Sequence, residues 1–109
     1  MFAREVRLHL KLNAARELRP VFESEILPLL QRQKGFLDVL VMLDPYRKEA
    51  VNIFLWEEKM YAERFHREAY PEIAAILGRF TEEIPVVKDF EVEYATIPAF
   101  EQIAAAATV

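Results

Sequence analysis

Cysteine is absent from the sequence, and this absence excludes several kinds of chemistry. Disulfides, thiolate metal ligands and a cysteine nucleophile all require a side chain that the protein lacks. Glycine is almost as scarce, because Gly35 and Gly78 are the only two, and so few glycines exclude a glycine-rich phosphate-binding loop. We therefore expect no flavin or nucleotide cofactor, and we expect a cytoplasmic protein.

The sequence also shows no cluster of basic residues. It has 14 Lys and Arg against 18 Asp and Glu, and its net charge is −4. Because binding to phosphate backbones requires clustered Lys and Arg, we expect no nucleic-acid partner. The two histidines, His9 and His66, are too few to indicate a metal site. No apolar run approaches the roughly 20 residues of a membrane-spanning helix, so we expect no membrane association.

Apolar residues are abundant and make up 53% of the 109 residues. A chain of this length suits one hydrophobic core and is too short for two. We predict one domain over residues 1–97, followed by a tail over residues 98–109. The run Ala104–Ala107 in this tail predicts a short helix against a partner subunit, or a frayed end.

Four segments have the pattern of β-strands, because they either alternate apolar and polar residues or form short apolar runs. They are Glu5–Leu12, Phe36–Asp44, Ala50–Trp56 and Phe90–Thr96. Helical spacing predicts a helix between Asn13, which can cap it, and Gly35, and a second helix over Glu57–Leu77 that breaks at Tyr70. The order βαββαβ indicates an α+β, ferredoxin-like fold, a four-stranded antiparallel sheet with two helices on one face.

In this fold the first and last strands are antiparallel neighbours. The first predicted strand carries Arg7 and Lys11 on its polar face, and the last carries Glu91 and Glu93. Opposite charges stabilise a strand pair, so we expect these four residues to form a network that includes His9.

The second and third strands are apolar on both faces, although helices can cover only one of them. The same face of a second copy would bury the other side, which predicts a homodimer in the form of a dimeric α+β barrel. The alternative is an apolar ligand groove on a monomer. Since either face could be the interfacial one, a charge at Val41 or at Ile53 would distinguish them.

Asn52 and Trp56, on the third strand, match a functional pair of the family that the chain resembles. Their spacing of four residues places both side chains on one face. An amide NH2 and an indole N–H can stabilise an oxyanion without ionising. The alternative is structural, with the tryptophan in the core and the asparagine bonded to the backbone.

The chain resembles the antibiotic-biosynthesis-monooxygenase-like family over nearly its whole length, including Leu29–Phe36 and Val51–Glu57. The resemblance implies a dimeric α+β barrel. In the quinone-forming branch it implies cofactor-independent monooxygenation of an aromatic or quinol-like molecule, with Asn52 and Trp56 as catalytic residues. Tyr61 lies one position before the tyrosine of that branch.

The haem-degrading branch has three characteristic residues, which fall on Val6, Phe65 and Ala75 here, so haem degradation is not expected. His66 follows the apolar stripe of the second helix and is the candidate general base, because an imidazole titrates near neutral pH. The alternative is that His66 is an exposed surface residue without a catalytic role.

Tyr61, Phe65 and Tyr70 are expected to line a ligand pocket between the sheet and this helix. Two hypotheses follow. One is a cofactor-independent monooxygenase. The other is a non-catalytic dimeric barrel that binds a small apolar or aromatic ligand, or acts as an accessory protein.

Overall fold

The computed structural model describes residues 1–98 and 100, and it contains a four-stranded antiparallel sheet with helices on one face. The strands are β1 (Phe2–His9), β2 (Phe36–Leu43), β3 (Glu49–Trp56) and β4 (Val86–Glu91). The helices are α1 (Ala15–Val21), α2 (Leu27–Gln31), α3 (Lys59–Glu68) and α4 (Tyr70–Leu77). The strand order β2-β3-β1-β4 confirms the predicted α+β, ferredoxin-like fold.

A π-helical turn over Phe22–Ile26 joins α1 to α2, so that the first predicted helix is one rod in three parts. Pro28 follows this turn, and its ring would clash with the carbonyl group of Ser24 in a regular α-helix. A widened turn that contains Ser24 makes room for the ring. The rod ends before Gly35, which has a left-handed φ of 82°, a conformation common just after helices.

The second predicted helix is two helices, as the sequence indicated. The break falls at Ala69, whose φ of −123° is not helical. Pro71 stands in the first turn of α4, where its missing N–H leaves no hydrogen bond unmade. The chain can therefore change direction between α3 and α4 while keeping both helices intact.

The even-numbered residues of β1 and β3 face the helices. Val6, Leu8, Phe54 and Trp56 are all fully buried there. On the other side of the sheet the odd-numbered residues of β3 are only half-buried. We call this second side the open face.

The first predicted strand, Glu5–Leu12, lies three residues nearer the N-terminus in the structure. β1 ends at His9, since the N–H group of Ala14 bonds to the carbonyl of Lys11 in a turn, and Leu12 is left 88% exposed. Asn13 does not cap the following helix and instead has a left-handed φ of 65°.

The predicted position of the last strand is wrong by several residues, because β4 covers Val86–Glu91 instead of Phe90–Thr96. Its ladder with β1 ends where Glu91 lies opposite Phe2, the first residue of β1. The expected ion pairs are therefore wrong too, since Arg7 lies opposite Val86. The ion pair that forms on this ladder is Arg4 with Asp89, and Glu5 lies opposite Lys88, a residue of opposite charge.

Arg7 and His9 instead approach Glu49 on the neighbouring strand β3, at 3.6 and 3.8 Å. Of the predicted tail over residues 98–109, residues 99 and 101–109 lie outside the described part of the chain. Within the described part, none of the helices combines the length and apolar character needed to cross a membrane.

Candidate functional site

Asn52 and Trp56 share the helix-facing side of β3, and both are fully buried. The amide nitrogen of Asn52 donates to the carbonyl oxygen of Val6 at 3.1 Å. This bond fixes the orientation of the amide, because only the NH2 group can face a carbonyl. The oxygen of the amide consequently points elsewhere.

Two buried polar atoms have no hydrogen-bond partner among the described residues: Oδ1 of Asn52 and Nε1 of Trp56. One is an acceptor and the other is a donor. Buried polar groups are almost always paired, and an unmet one costs about 1–3 kcal/mol. A bound molecule that supplies a donor and an acceptor would remove this penalty.

Aromatic rings surround the indole of Trp56. The ring centroid of Phe65, on α3, lies 4.9 Å from it, and that of Phe36, on β2, lies 5.6 Å away. Tyr70, at the start of α4, follows next, with its ring 6.3 Å from that of Phe65. Two of the three predicted pocket residues, Phe65 and Tyr70, therefore form one aromatic layer with Trp56 between sheet and helices.

Tyr61, the third predicted pocket residue, stands at the edge of this layer. Its ring packs directly on Gly35, where a Cβ atom would overlap the ring, and the Lys34 ammonium lies 5.9 Å from the ring centroid. Gly35 therefore has two reasons to be glycine, its left-handed φ and this close contact. The aromatic ring covers the turn that enters β2.

His66 is exposed and stacks on Tyr70, with 4.8 Å between the ring centroids and 15° between the planes. It follows the buried Phe65 by one residue, a rotation of about 100° around the helix. The structure therefore does not bring His66 to the buried Asn52 and Trp56 but places it at the outer rim of the aromatic layer.

Arg4 is a buried residue of this region that the sequence patterns did not single out. Its Nε and Nη2 atoms donate to the two carboxylate oxygens of Asp89 at 2.7 and 3.0 Å, and Nη1 donates to the carbonyl of Ala62 at 3.1 Å. The guanidinium group thus ties β1 to β4 and to α3. An observation that could have found it is its parity, since Arg4 shares the face of Val6 and Leu8.

The charge on Arg4 changes the titration of its neighbours. Its hydrogen bonds lower the pKa of Asp89 below the ordinary value, against the opposing effect of partial burial. Burial raises the pKa of Tyr70, and the positive charge of Arg4 offsets part of that rise. Tyr70 is therefore a neutral phenol at physiological pH, able to donate a hydrogen bond.

Two clefts open at the ends of the sheet, and neither is lined by Asn52 or Trp56. One lies beside Phe2 and Asp89 and the other beside Leu10 and Lys11. The Asn52 and Trp56 pair is therefore closed to solvent in this conformation.

Among residues 1–98 and 100, no three or more His, Asp or Glu side chains come together in a way that could hold a metal ion.

The sheet order and the helices on one face define the α+β fold of the antibiotic-biosynthesis-monooxygenase-like proteins. No family model matches the chain, and no curated protein matches it by sequence. Solved structures do match it. The ActVA-Orf6 monooxygenase of Streptomyces coelicolor, in complex with nanaomycin D, has a TM-score of 0.75 at 16% identity, over 89% of this chain and 91% of that one.

Two further solved structures are similar over most of their length. A variant of SnoaB, a cofactor-independent oxygenase from Streptomyces nogalater, has a TM-score of 0.70 at 17% identity, covering 87% of this chain and 95% of its own. A protein of unknown function from Nitrosomonas europaea has a TM-score of 0.71 at 17% identity, covering 89% and 93%. At these identities the likeness establishes the fold.

Proposed function

We propose that the protein is a cofactor-independent monooxygenase that acts, as a homodimer, on an aromatic or quinol-like small molecule. The observation that carries the proposal is the pair of buried atoms without partners, Oδ1 of Asn52 and Nε1 of Trp56. The fold supports it as well, because ActVA-Orf6 and SnoaB, two similar structures, are a monooxygenase and an oxygenase.

The distance between the two residues favours a particular size of substrate. Four residues of a strand span about 13 Å between Cα atoms. One hydroxyl group cannot be expected to reach both residues, whereas a planar molecule of two or three fused rings with oxygen at both ends can. The aromatic layer formed by Phe65 and Tyr70 suits such a flat molecule.

The proposed chemistry follows from what these atoms can do. The indole N–H of Trp56 donates to an oxygen that gains negative charge as the phenol loses its proton, and Oδ1 of Asn52 accepts from a second hydroxyl group. The phenolate then reduces O2 without a cofactor. One oxygen atom enters the ring, the other leaves as water, and the substrate supplies the electrons.

His66 remains the proposed base, acting from the rim of the aromatic layer. Because it is exposed, it would take a proton from the solvent-facing end of the molecule and pass it to water. The ring of Phe65 covers Trp56, so the substrate must displace it. The non-helical Ala69 between α3 and α4 is the natural place for that movement to begin.

The open face supports the proposed homodimer and indicates its geometry. Leu40, Met42, Val86 and Phe90 project from it and are 50, 42, 54 and 47% exposed. The half-buried Ile53 lies among them on the central strand β3. Apolar residues of β2, β3 and β4 on this face suit the same face of a second copy about a two-fold axis.

Oxygen uptake with tricyclic phenols and quinols tests the enzymatic proposal. Consumption should exceed the uncatalysed rate, and label from ¹⁸O2 should enter the product. Trp56→Phe and Asn52→Ala should each lower kcat about a hundredfold, which is typical of losing one stabilising group. Asn13→Gly, which removes an exposed amide at a left-handed φ, is the matched control and should leave the rate unchanged. No uptake, or unchanged rates in both site variants, would refute the enzyme.

A non-catalytic dimeric barrel is the second candidate, and one observation favours it. The NH2 group of Asn52 is already used by the carbonyl of Val6, as a structural role requires. Trp56 is the only tryptophan, so its fluorescence reports on this site alone. Quenching by an aromatic ligand without oxygen uptake would establish binding without catalysis.

A further inference from the structure

A wide cleft lies at the end of the sheet away from Trp56, and neither the oxygenase proposal nor the dimer uses it. Its volume is about 770 Å³. The residues after β1, the β2–β3 hairpin and the segment after α4 form its walls. Asn52 lies opposite Val6 in the middle of β1, whereas the cleft begins at His9, so the two places are separate.

Four cationic side chains line this cleft, two from the residues after β1 and two from the β2–β3 hairpin. They are Lys11, Arg16, Arg47 and Lys48, and Glu82 is the one carboxylate in the lining. The chain as a whole has a net charge of −4, so the charge of the cleft is opposite in sign to that of the chain. Low-dielectric walls lined by charge of one sign concentrate ions of the opposite sign.

None of these four cations forms an ion pair with a described residue. Outside the cleft, five of the ten Lys and Arg residues form ion pairs, among them Arg19 with Glu23 at 2.8 Å and Arg79 with Glu25 at 2.9 Å. Four unpaired positive charges held near one another repel each other, and a bound anion would relieve that repulsion.

The cleft also exposes large apolar surface between the charges. Leu12 is 88% exposed and Tyr46 is 81% exposed, and both are lining residues. Exposed apolar side chains beside unpaired cations match a ligand with two parts, an anionic group and an apolar or aromatic body. An inorganic anion would use only the charges.

The walls are held in place before any ligand arrives. The carboxylate of Asp44 accepts hydrogen bonds from the N–H groups of Tyr46, Lys48 and Glu49 at 3.1, 2.7 and 2.7 Å. The N–H of Leu10 donates to the carbonyl of Lys48 at 2.8 Å, which ties the hairpin to β1. A ligand would therefore meet a formed backbone, and only the cationic side chains would still have to be ordered.

Two residues in the walls of the cleft have an unusual backbone conformation. Asn13 and Arg47 are the non-glycine residues with a left-handed φ, 65° and 61°, in the described part of the chain, and both line the cleft. This conformation is unusual for a residue as large as arginine.

We propose that this cleft is a second binding site, for an amphipathic organic anion: a carboxylate or a phosphate monoester that carries an apolar or aromatic group. Its charged group lies among Lys11, Arg16, Arg47 and Lys48, and its apolar body lies against Leu12 and Tyr46.

Amide NMR of the full chain, titrated with phenyl phosphate, tests the site. Shifts should saturate and be largest at Lys11–Arg16 and Tyr46–Lys48. Phenyl phosphate should bind more tightly than inorganic phosphate, because it also covers the apolar surface, and added salt should weaken both. A parallel titration with benzoate shows which anionic group binds better, and saturable binding of either one supports the site.

Arg47→Gly is the decisive variant, because glycine suits a φ of 61° and the hairpin should keep its fold. Loss of one contacting charge should raise the Kd for phenyl phosphate about fivefold. Arg19→Gln, on the exposed surface of α1, should leave the Kd unchanged. Shifts that do not saturate, that spread equally to basic residues outside the cleft, or a Kd unaffected by Arg47→Gly would overturn the proposal.

Discussion

The two faces of the sheet belong to the same strands, but their apolar side chains are buried to different extents. On the helix-facing side, the chain covers its own apolar residues, and Val6, Phe54 and Trp56 are fully buried. On the open face, Leu40 and Phe90 are about half exposed. The helix-facing side therefore contributes most to the stability of the single chain. We propose that the open face serves to assemble the dimer.

The polar groups of the two faces differ in the same way. Arg4, on the helix-facing side, makes three hydrogen bonds at 3.1 Å or shorter. Arg7, on the open face, is 41% exposed and approaches Glu5 and Glu49 at 3.4 and 3.6 Å. Against the well-satisfied Arg4, the unpaired atoms of Asn52 and Trp56 on the same buried face are exceptional, which is why we assign function to them.

The largest expected effect concerns the open face. Ile53→Lys should dissociate the proposed dimer, because each subunit would bury an unpaired charge at a cost of about 3 kcal/mol or more. Val41→Lys is the matched control, since Val41 pairs with Asn52 and shares its helix-facing side, at the edge strand β2. Sedimentation at micromolar concentration should show monomers only for the first variant. A dimer in both variants would show that the interface does not lie on the open face.

The next largest effect concerns Arg4. Arg4→Leu should lower the free energy of unfolding by about 3 kcal/mol, the low end for a broken buried pair, because Asp89 stays partly hydrated. Arg7→Leu, the matched change on the open face, should cost less than about 1 kcal/mol. Urea denaturation at one protein concentration measures both. Equal losses would show that the two arginines do not differ as their burial indicates.

The element order was predictable because apolar periodicity depends on local sequence alone. The register of β4 was not. Phe90–Thr96 begins with a clear alternation of apolar and polar residues, whereas Val86–Glu91 (VVKDFE) does not alternate, so a period of two favours the wrong segment. The choice depends on a tertiary contact, the pair of Arg4 with Asp89, which no local pattern of β4 contains.

The candidate site was predictable in part for the same reason. Period two places Asn52 and Trp56 on one face, but Val51 and Ile53 are as apolar as their neighbours, so the pattern could not tell which face the helices cover. The cationic cleft was not predictable, because Lys11 and Arg47 are far apart in sequence and only the fold brings them together.

The stability of the chain should fall at acid pH partly through Asp89. Because its pKa is lower in the folded state than in the unfolded chain, its contribution is complete at neutral pH and is lost as the pH falls below about 4. Urea denaturation between neutral and acid pH should therefore show a smaller acid loss for Asp89→Asn than for the wild type. Asp44, whose pKa is also lowered, should account for part of the loss that remains.

The smallest expected effect is the most informative about Asn52. Asn52→Leu keeps a similar volume, removes an unpaired buried oxygen and gives up one hydrogen bond to Val6. Removing the unpaired oxygen stabilises the folded chain and losing the hydrogen bond destabilises it, so the free energy of unfolding should change by less than about 1 kcal/mol. A loss well above that would mean that the asparagine is retained for the fold, whereas an unchanged stability would mean that the unpaired oxygen is retained for a ligand.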